Sequence, residues 1–275
     1  MQHPPQTFNR ELYLSRQAKA RGDGIALLDQ RISDELADRL AVINHRFEIA
    51  MLIAPRPTDL IRILTMTGKF DRIESRLPMA TDDLALRPQS HNAIFSILDL
   101  HTVNDVPGYM AQVANALKPD GLALFCFFAG DTLRELRDAW LVAEQELTGG
   151  ASPRVAPMID LRQAGGLLQR AGLALPVADT DRLTLGYADA IALMREIKNL
   201  GMSNCMIGRR WSVTSQRLLL KSAEIYQRDF GKPDGRITAC LEIAWALAWK
   251  PHPSQQQPLK PGSAKARLAD ALKAD

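Results

Sequence analysis

Residues 92–137 read NAIFSILDLHTVNDVPGYMAQVANALKPDGLALFCFFAGDTLRELR, and their pattern decides the fold. Asn92 to Leu98 is a strand. Asp105 to Leu117 is amphipathic, with Val106, Met110, Val113 and Leu117 on one face. Lys118-Pro119-Asp120-Gly121 is a strong turn, and Leu122 to Phe128 is an apolar run of strand length. A run apolar at every position, not alternate ones, is a strand covered on both faces. From Asp131 to Leu147 the apolar residues Leu133, Leu136, Trp140, Ala143 and Leu147 recur at helical steps, and Asp131 and Thr132 offer capping oxygens. The stretch therefore predicts two central parallel strands joined by the helix 105–117 in a right-handed crossover. It also predicts that Leu133, Leu136 and Trp140 are buried on one face of the next helix.

The same alternation continues outward. Upstream, residues 11–43 are helical in pattern, with a break at Gly22-Asp23-Gly24. Phe47 to Ile53 is a buried strand stopped by Pro55-Arg56-Pro57. Residues 59–66 suit a short helix with Thr58 as its N-cap, and Phe70 to Ile73 a second strand. Residues 76–91 are polar and turn-rich. Downstream, Gly149 to Pro157 is a loop and Asp160 to Ala171 a helix. Strand-like pieces fall at 173–177 and 182–186, helices at 188–199 and 215–230, and an apolar run rich in β-formers at 237–249. Strands alternating with helices make an α/β, doubly wound, mostly parallel sheet, expected to have seven strands with an antiparallel strand at one edge. Residues 1–46 read as a helical extension, 47–250 as the main domain with 140–172 as a helical substrate or partner rim, and 251–275 as a mobile basic tail.

Composition excludes several classes. The chain has 275 residues, 46% of them hydrophobic, enough for a substantial core. The net charge of +3 and 6% aromatic content give no argument for a nucleic-acid partner. No apolar run is long enough to span a bilayer; peripheral association stays open, but the tail is too weakly amphipathic to argue for it and reads as a solvated end. The three cysteines, Cys126, Cys205 and Cys240, are too few and too scattered for a disulfide framework or a zinc knuckle. The five histidines show no ligand spacing, so no metal is assigned, and the expected location is the reducing cytoplasm.

The strand, Leu100-His101, Val103-Asn104-Asp105, the helix and the Leu117-Lys118-Pro119-Asp120-Gly121 turn resemble the second half of class I S-adenosylmethionine (SAM) methyltransferases. Phe128-Ala129-Gly130-Asp131-Thr132-Leu133, with Glu135-Leu136-Arg137, is more specific. It resembles the methyltransferase-like assembly factors of respiratory complex I, of mitochondrial and alphaproteobacterial type, and more distantly the malonyl-carrier-protein methyltransferases of biotin synthesis. Gly149 to Pro153, Gly165 to Gly172, Asp179-Thr180-Asp181, Leu193 to Lys198, Met202 to Cys205 and Ala248 to His252 extend the likeness, with Phe8-Asn9-Arg10 a weaker echo. The resemblance implies the SAM-methyltransferase fold, SAM as cofactor, a complex I subunit as protein partner and an arginine-hydroxylation activity.

It also implies a cofactor position beyond the first strand, near residues 53–58, 71–74, 82–83 and 99–101. The family carries a glycine-rich turn there, where backbone N–H groups approach the ligand closely. This chain has Ile49-Ala50-Met51-Leu52-Ile53-Ala54-Pro55-Arg56-Pro57, without a glycine and with two prolines that each remove a donor. The residues carried over as cofactor contacts are Ala54, Arg56, Leu100 and the carboxylates Asp71, Glu74, Asp82 and Asp83; the alternative for these acids is solvated loop charge. His101 and Asp99 are the catalytic candidates, His101 as a general base or else as a packed or capping residue. The resemblance matches His101 to a histidine followed by tryptophan, but Thr102 follows it here. Gly130, Asp131, Thr132 and Asn204 are candidates for a substrate or partner rim, with helix capping the other reading for Asp131. Two functions follow: a partner-binding assembly factor that binds SAM weakly or not at all, or an active SAM-dependent enzyme modifying a protein side chain or a carrier-bound substrate.

Overall fold

The structure is a computed structural model and describes residues 6–21 and 23–256, apart from the side chains of Asp23 and Ile25. Its strands are β1 (Phe47–Ile53), β2 (Phe70–Arg76), β3 (His91–Ile97), β4 (Leu117–Phe128), β5 (Ala174–Tyr187) and β6 (Ile237–Trp249). They form a six-stranded sheet in the order β2-β1-β3-β4-β6-β5. The first four are mutually parallel; β6 runs antiparallel between β4 and the edge strand β5. The helices are α1 (Arg10–Gln17), α2 (Asp23–Ala41), α3 (Thr58–Met66), α4 (Val106–Ala116), α5 (Arg134–Thr148), α6 (Leu161–Arg170), α7 (Ala190–Asn199) and α8 (Gln216–Phe230).

As the apolar run required, β4 is covered on both faces. Ala123, Phe125 and Phe127 pack with Met110 and Val113 of α4 and Leu168 of α6. Leu122, Leu124 and Cys126 pack on the other face with Leu36 and Leu40 of α2 and Leu60 and Leu64 of α3. The N-terminal helix α2 thus shares the core of β1 and β4. A third cluster joins α5, α7 and α8 to Ile237 and Ala239 at the start of β6. The predicted β3–α4–β4 unit is present, with β3 and β4 adjacent and parallel.

Several expectations change. The described sheet has six strands, not seven. Between β2 and β3 the chain is short and forms no strand over 77–90, where positive φ at Ala85 and Gln89 turns it sharply. The two strand-like pieces at 173–177 and 182–186 are one strand, because β6 pairs along almost the whole of β5. The Lys118–Gly121 turn lies inside β4, and the ladder to β3 shifts register there, with Asp120 at φ 63°. Thr58 is the first helical residue of α3; Pro57 holds the N-cap position without a side-chain bond. Asp131 and Thr132 do not cap α5. The Thr132 hydroxyl donates to Ala129 O and accepts from Glu242 N, so the chain first turns left-handed at Leu133, and the helix starts at Arg134. Leu133 is only half-buried for that reason, while Leu136 and Trp140 are buried as expected. Gly24 lies within α2; the helical break falls before Asp23. The proposed rim at 140–172 comprises the end of α5, a loop and α6. The tail beyond residue 256 lies outside the described residues.

Candidate functional site

In open α/β sheets ligands gather at the carboxyl ends of the parallel strands. Beyond β1 that place holds Ala54-Pro55-Arg56. Ala54 is fully buried. The Arg56 guanidinium reaches back into the N-terminal helices: Nε donates to both oxygens of Asp29 at 2.8 and 3.0 Å, Nη2 to Asp29 Oδ1 at 2.8 Å, and Nη1 to Gln17 Oε1 at 2.7 Å. A fork-to-carboxylate pair of this kind is strong and directional. The space left among Asp29, Ala54, Arg56, Leu60 and Leu98 is about 10 Å³, at most one water.

Beyond β3 the crevice is occupied in the same manner by α1. Tyr13 donates from its hydroxyl to Leu98 O at 2.7 Å, where Leu98 turns at φ 54°. Asp99 is fully buried, with Arg10 Nη2 at 2.9 Å on one oxygen and the Tyr109 hydroxyl at 3.1 Å on the other. Burial pushes the Asp99 carboxyl up, and Arg10 opposes the shift. Arg10 also donates to Thr102 Oγ1 at 3.2 Å and Met79 O at 2.9 Å.

The other carboxylates are spread out. Asp82 lies 3.5 Å from Arg10 and accepts from the backbone N–H groups of Asn104 and Asp105. Asp83 accepts from Ala85 N. Leu100 is a core residue. Glu74 on β2 pairs with Arg72 of the same strand and with His91 at the start of β3. Asp71 follows Phe70, which pairs with Phe47 at the start of β1, so it sits at the opposite edge of the sheet from Ala54, paired with Arg46. The structure brings Asp82 and Asp99 together around Arg10 and leaves Asp71 out.

His101 lies in a 3-10 turn, Leu100–Thr102, between the edges of Tyr13 and Phe128, with ring centroids at 6.0 and 5.1 Å. Its Nδ1 is buried without a hydrogen-bond partner. Burial, reinforced by Arg10, lowers its pKa to about 3, so the ring is neutral at physiological pH. A base that weak is poorly matched to proton abstraction at neutral pH. The ring faces a cavity of about 580 Å³. The cavity exists because β6 extends past β4: Phe128 ends opposite Ile243, while β6 begins at Ile237. The overhang of β5 and β6 forms one wall, and α2, α7, the loop around Met202 and the loop 154–158 contribute to the others, with Tyr13 of α1 and Leu136 of α5.

Of the second group of predicted residues, Thr132 and Asn204 line this space, while Gly130 and Asp131 do not. Gly130 turns at φ 52°, and a Cβ there would lie 1.9 Å from Glu242 Oε2. Asp131 N donates to that carboxylate, and Arg182 spans Asp131 and Glu242. Asn204 ties its loop to Pro153 O and Met206 N. Cys205 is buried, which pushes its thiol up and makes it a poor nucleophile. Sequence reasoning missed Arg10, Tyr13, Gln17 and Asp29, which fill the crevice; the Phe8-Asn9-Arg10 echo was the available signal. It also missed Glu144, which receives Ser152 and Arg154 at the Gly149–Pro153 motif. Among the described residues no group of His, Cys, Asp and Glu is placed to hold a metal ion, and no helix is long and apolar enough to cross a membrane.

No protein-family model matches the chain. Known relatives do. The chain is 30% identical over 253 residues to the zebrafish (Danio rerio) protein named mitochondrial arginine-hydroxylase NDUFAF5, a match covering 92% of this chain and 74% of that one. It is 38% identical over 186 residues to the Dictyostelium discoideum protein of the same name, covering 67% of this chain and 42% of the relative. The malonyl-[acyl-carrier protein] O-methyltransferase of Laribacter hongkongensis is 28% identical over 275 residues, covering 89% of this chain and 90% of that one. Among solved structures, a Bacillus halodurans methyltransferase superposes with a TM-score of 0.51 at 12% identity over 79% of this chain and 98% of that one, a likeness of fold. With a sheet of this order, a crevice at its carboxyl edge and relatives matched along most of its length, the chain belongs to the NDUFAF5 arginine-hydroxylase family, on a class I methyltransferase fold.

Proposed function

We propose that the protein is a methyltransferase-fold assembly factor that binds a protein partner, a subunit of respiratory complex I, and does not use SAM. The observation that carries this reading is the Arg56 clamp on Asp29 and Gln17, which closes the turn after β1 from within. Three features support it. Pro55 and Pro57 remove donors that a cofactor would need. Asp99 is satisfied by Arg10 and Tyr109 and has no free oxygen to offer a ligand. The space left beyond β1, about 10 Å³, is too small to take in SAM. The residues present therefore do not suit the cofactor. The partner rests on family membership, and the cytoplasmic location on the chain's three free cysteines.

Calorimetry with SAM tests the reading. No heat of binding is expected at concentrations where family enzymes saturate, and micromolar affinity would overturn it. In-cell cross-linking followed by mass spectrometry should recover a complex I subunit. A second reading, an active enzyme modifying a protein side chain or a carrier-bound substrate, is favoured by one observation. His101, which follows β3, faces the ligand-sized cavity beyond β4.

A further inference from the structure

From Ile197 to Ala223 the chain carries five charged residues, Lys198, Arg209, Arg210, Arg217 and Lys221, and all are basic, a local excess larger than the net +3 of the whole chain. Lys221 is taken up by Glu146 and Glu224, but Arg209, Arg210 and Arg217 pair with no carboxylate among the described residues. The same loop is apolar where it is most exposed. Trp211 is 79% exposed and Val213 95%. Single exposed apolar residues are ordinary, but tryptophan and unpaired arginines side by side have the composition of a binding surface. The Trp211 ring is held in place. The Arg209 guanidinium lies over it at 4.3 Å and donates from Nη1 to Met206 O at 2.9 Å. Arg154 pins the loop from behind, joining Glu144 to Thr214 Oγ1 at 2.8 Å. Between the loop, the end of α5 and the start of α8 lies an opening of about 360 Å³. Its apolar residues are Leu147, Val213 and Leu218, and its charged residues are all arginines: Arg154, which is committed, and Arg210 and Arg217, which are not.

We infer that the loop 207–217 and this opening are the docking surface for an acidic segment of a protein partner, with an apolar side chain of that segment in the opening and its carboxylates on Arg210 and Arg217. A single-stranded nucleic acid would call for a row of aromatic rings, where this loop exposes one. A membrane surface would leave the opening unused. The inference rests on the proposed function for the identity of the partner and adds where that partner docks.

The test is photo-cross-linking of the full chain in cells, with benzoylphenylalanine in place of Val213 or, as a control, of Val42, which is also exposed but lies just before β1. A complex I subunit is expected from position 213 and not from position 42, joined through a segment rich in Asp and Glu. A synthetic peptide of that segment should bind the purified chain. Trp211→Ala, and Arg210→Glu combined with Arg217→Glu, should each weaken it about tenfold or more, while Arg210→Lys with Arg217→Lys costs no more than about threefold. These side chains are exposed, so thermal unfolding should not change. Cross-linking from position 42 alone, or from both positions alike, overturns the inference and leaves the proposed function standing; no complex I subunit from either position overturns both. A neutral or basic cross-linked segment, or peptide affinity unchanged by the charge reversal, overturns the inference as well. So does binding of the full chain to phosphatidylserine vesicles that the same charge reversal abolishes.

Discussion

The carboxyl edge of one sheet ends in two different ways. Beyond β1 and β3, Arg10, Tyr13, Gln17 and Asp29 reach down from the N-terminal helices and pair with Arg56, Leu98 O and Asp99, leaving about 10 Å³. Beyond β4, the overhang of β5 and β6 meets apolar side chains of α2 and α7 and leaves about 580 Å³. The difference lies in the covering side chains. Long polar side chains can bridge a gap and satisfy each other across it, so a crevice lined by them closes. Aliphatic side chains held on rigid elements cannot extend to meet, so the space between them stays open.

Breaking the closed side should have the largest effect. Arg10→Ala leaves Asp99 buried without its cation and should cost about 3–5 kcal/mol in urea denaturation, the range for breaking one half of a buried pair. Adding Asp99→Asn should return much of that loss; if it does not, Arg10 acts through its other contacts.

His101 sharpens the contrast through pH. Its folded-state pKa, about 3, lies below the ordinary 6.5. The unfolded chain therefore binds more protons below pH 6.5. The stability His101 contributes is full above that pH and is lost as pH falls toward 3, by up to about 1.4 kcal/mol per pH unit. Asp99, shifted upward, works in the opposite sense. Comparing wild type with His101→Phe between pH 6.5 and 4.5 should therefore isolate a difference of roughly 2–3 kcal/mol. An identical slope in both proteins would mean that His101 is protonated or solvated in the folded state.

Gly130 lies two residues beyond the end of β4. Gly130→Ala should cost about 1–2 kcal/mol from the left-handed φ alone, and the Glu242 side chain must also move. Its thermal unfolding midpoint should fall, with the Arg182–Glu242 pair disrupted. The smallest effect belongs to Arg31→Ala at the rim of the cavity. Its side chain is 45% exposed, and the pairs to Asp181 and Glu35 should be worth less than about 1 kcal/mol. A loss above 2 kcal/mol would show that α2 is held over the cavity by this one side chain.

Much of this could be read from residues in order. The all-apolar Leu122–Phe128 run, the amphipathic helix before it and the turn between them are local patterns, and local patterns set strand and helix identity and the parallel β3–β4 pairing. The missing glycines beyond β1 were visible too, because a turn's backbone freedom is a property of its own residues. The six-strand count depended on whether 77–90 would pair, which neighbours decide. Asp131 and Thr132 have the chemistry of a cap, but Glu242, more than a hundred residues away, takes Asp131 N, and Thr132 bonds to strand backbone. The partners of Arg56 and Asp99 lie 27 and 89 residues away, and periodicity carries no information at such separations. The closed crevice and the open cavity alike were decided by which distant side chains the packed core brings into reach, since hydrogen bonds and excluded volume act over a few ångströms of space, wherever the atoms stand in the chain.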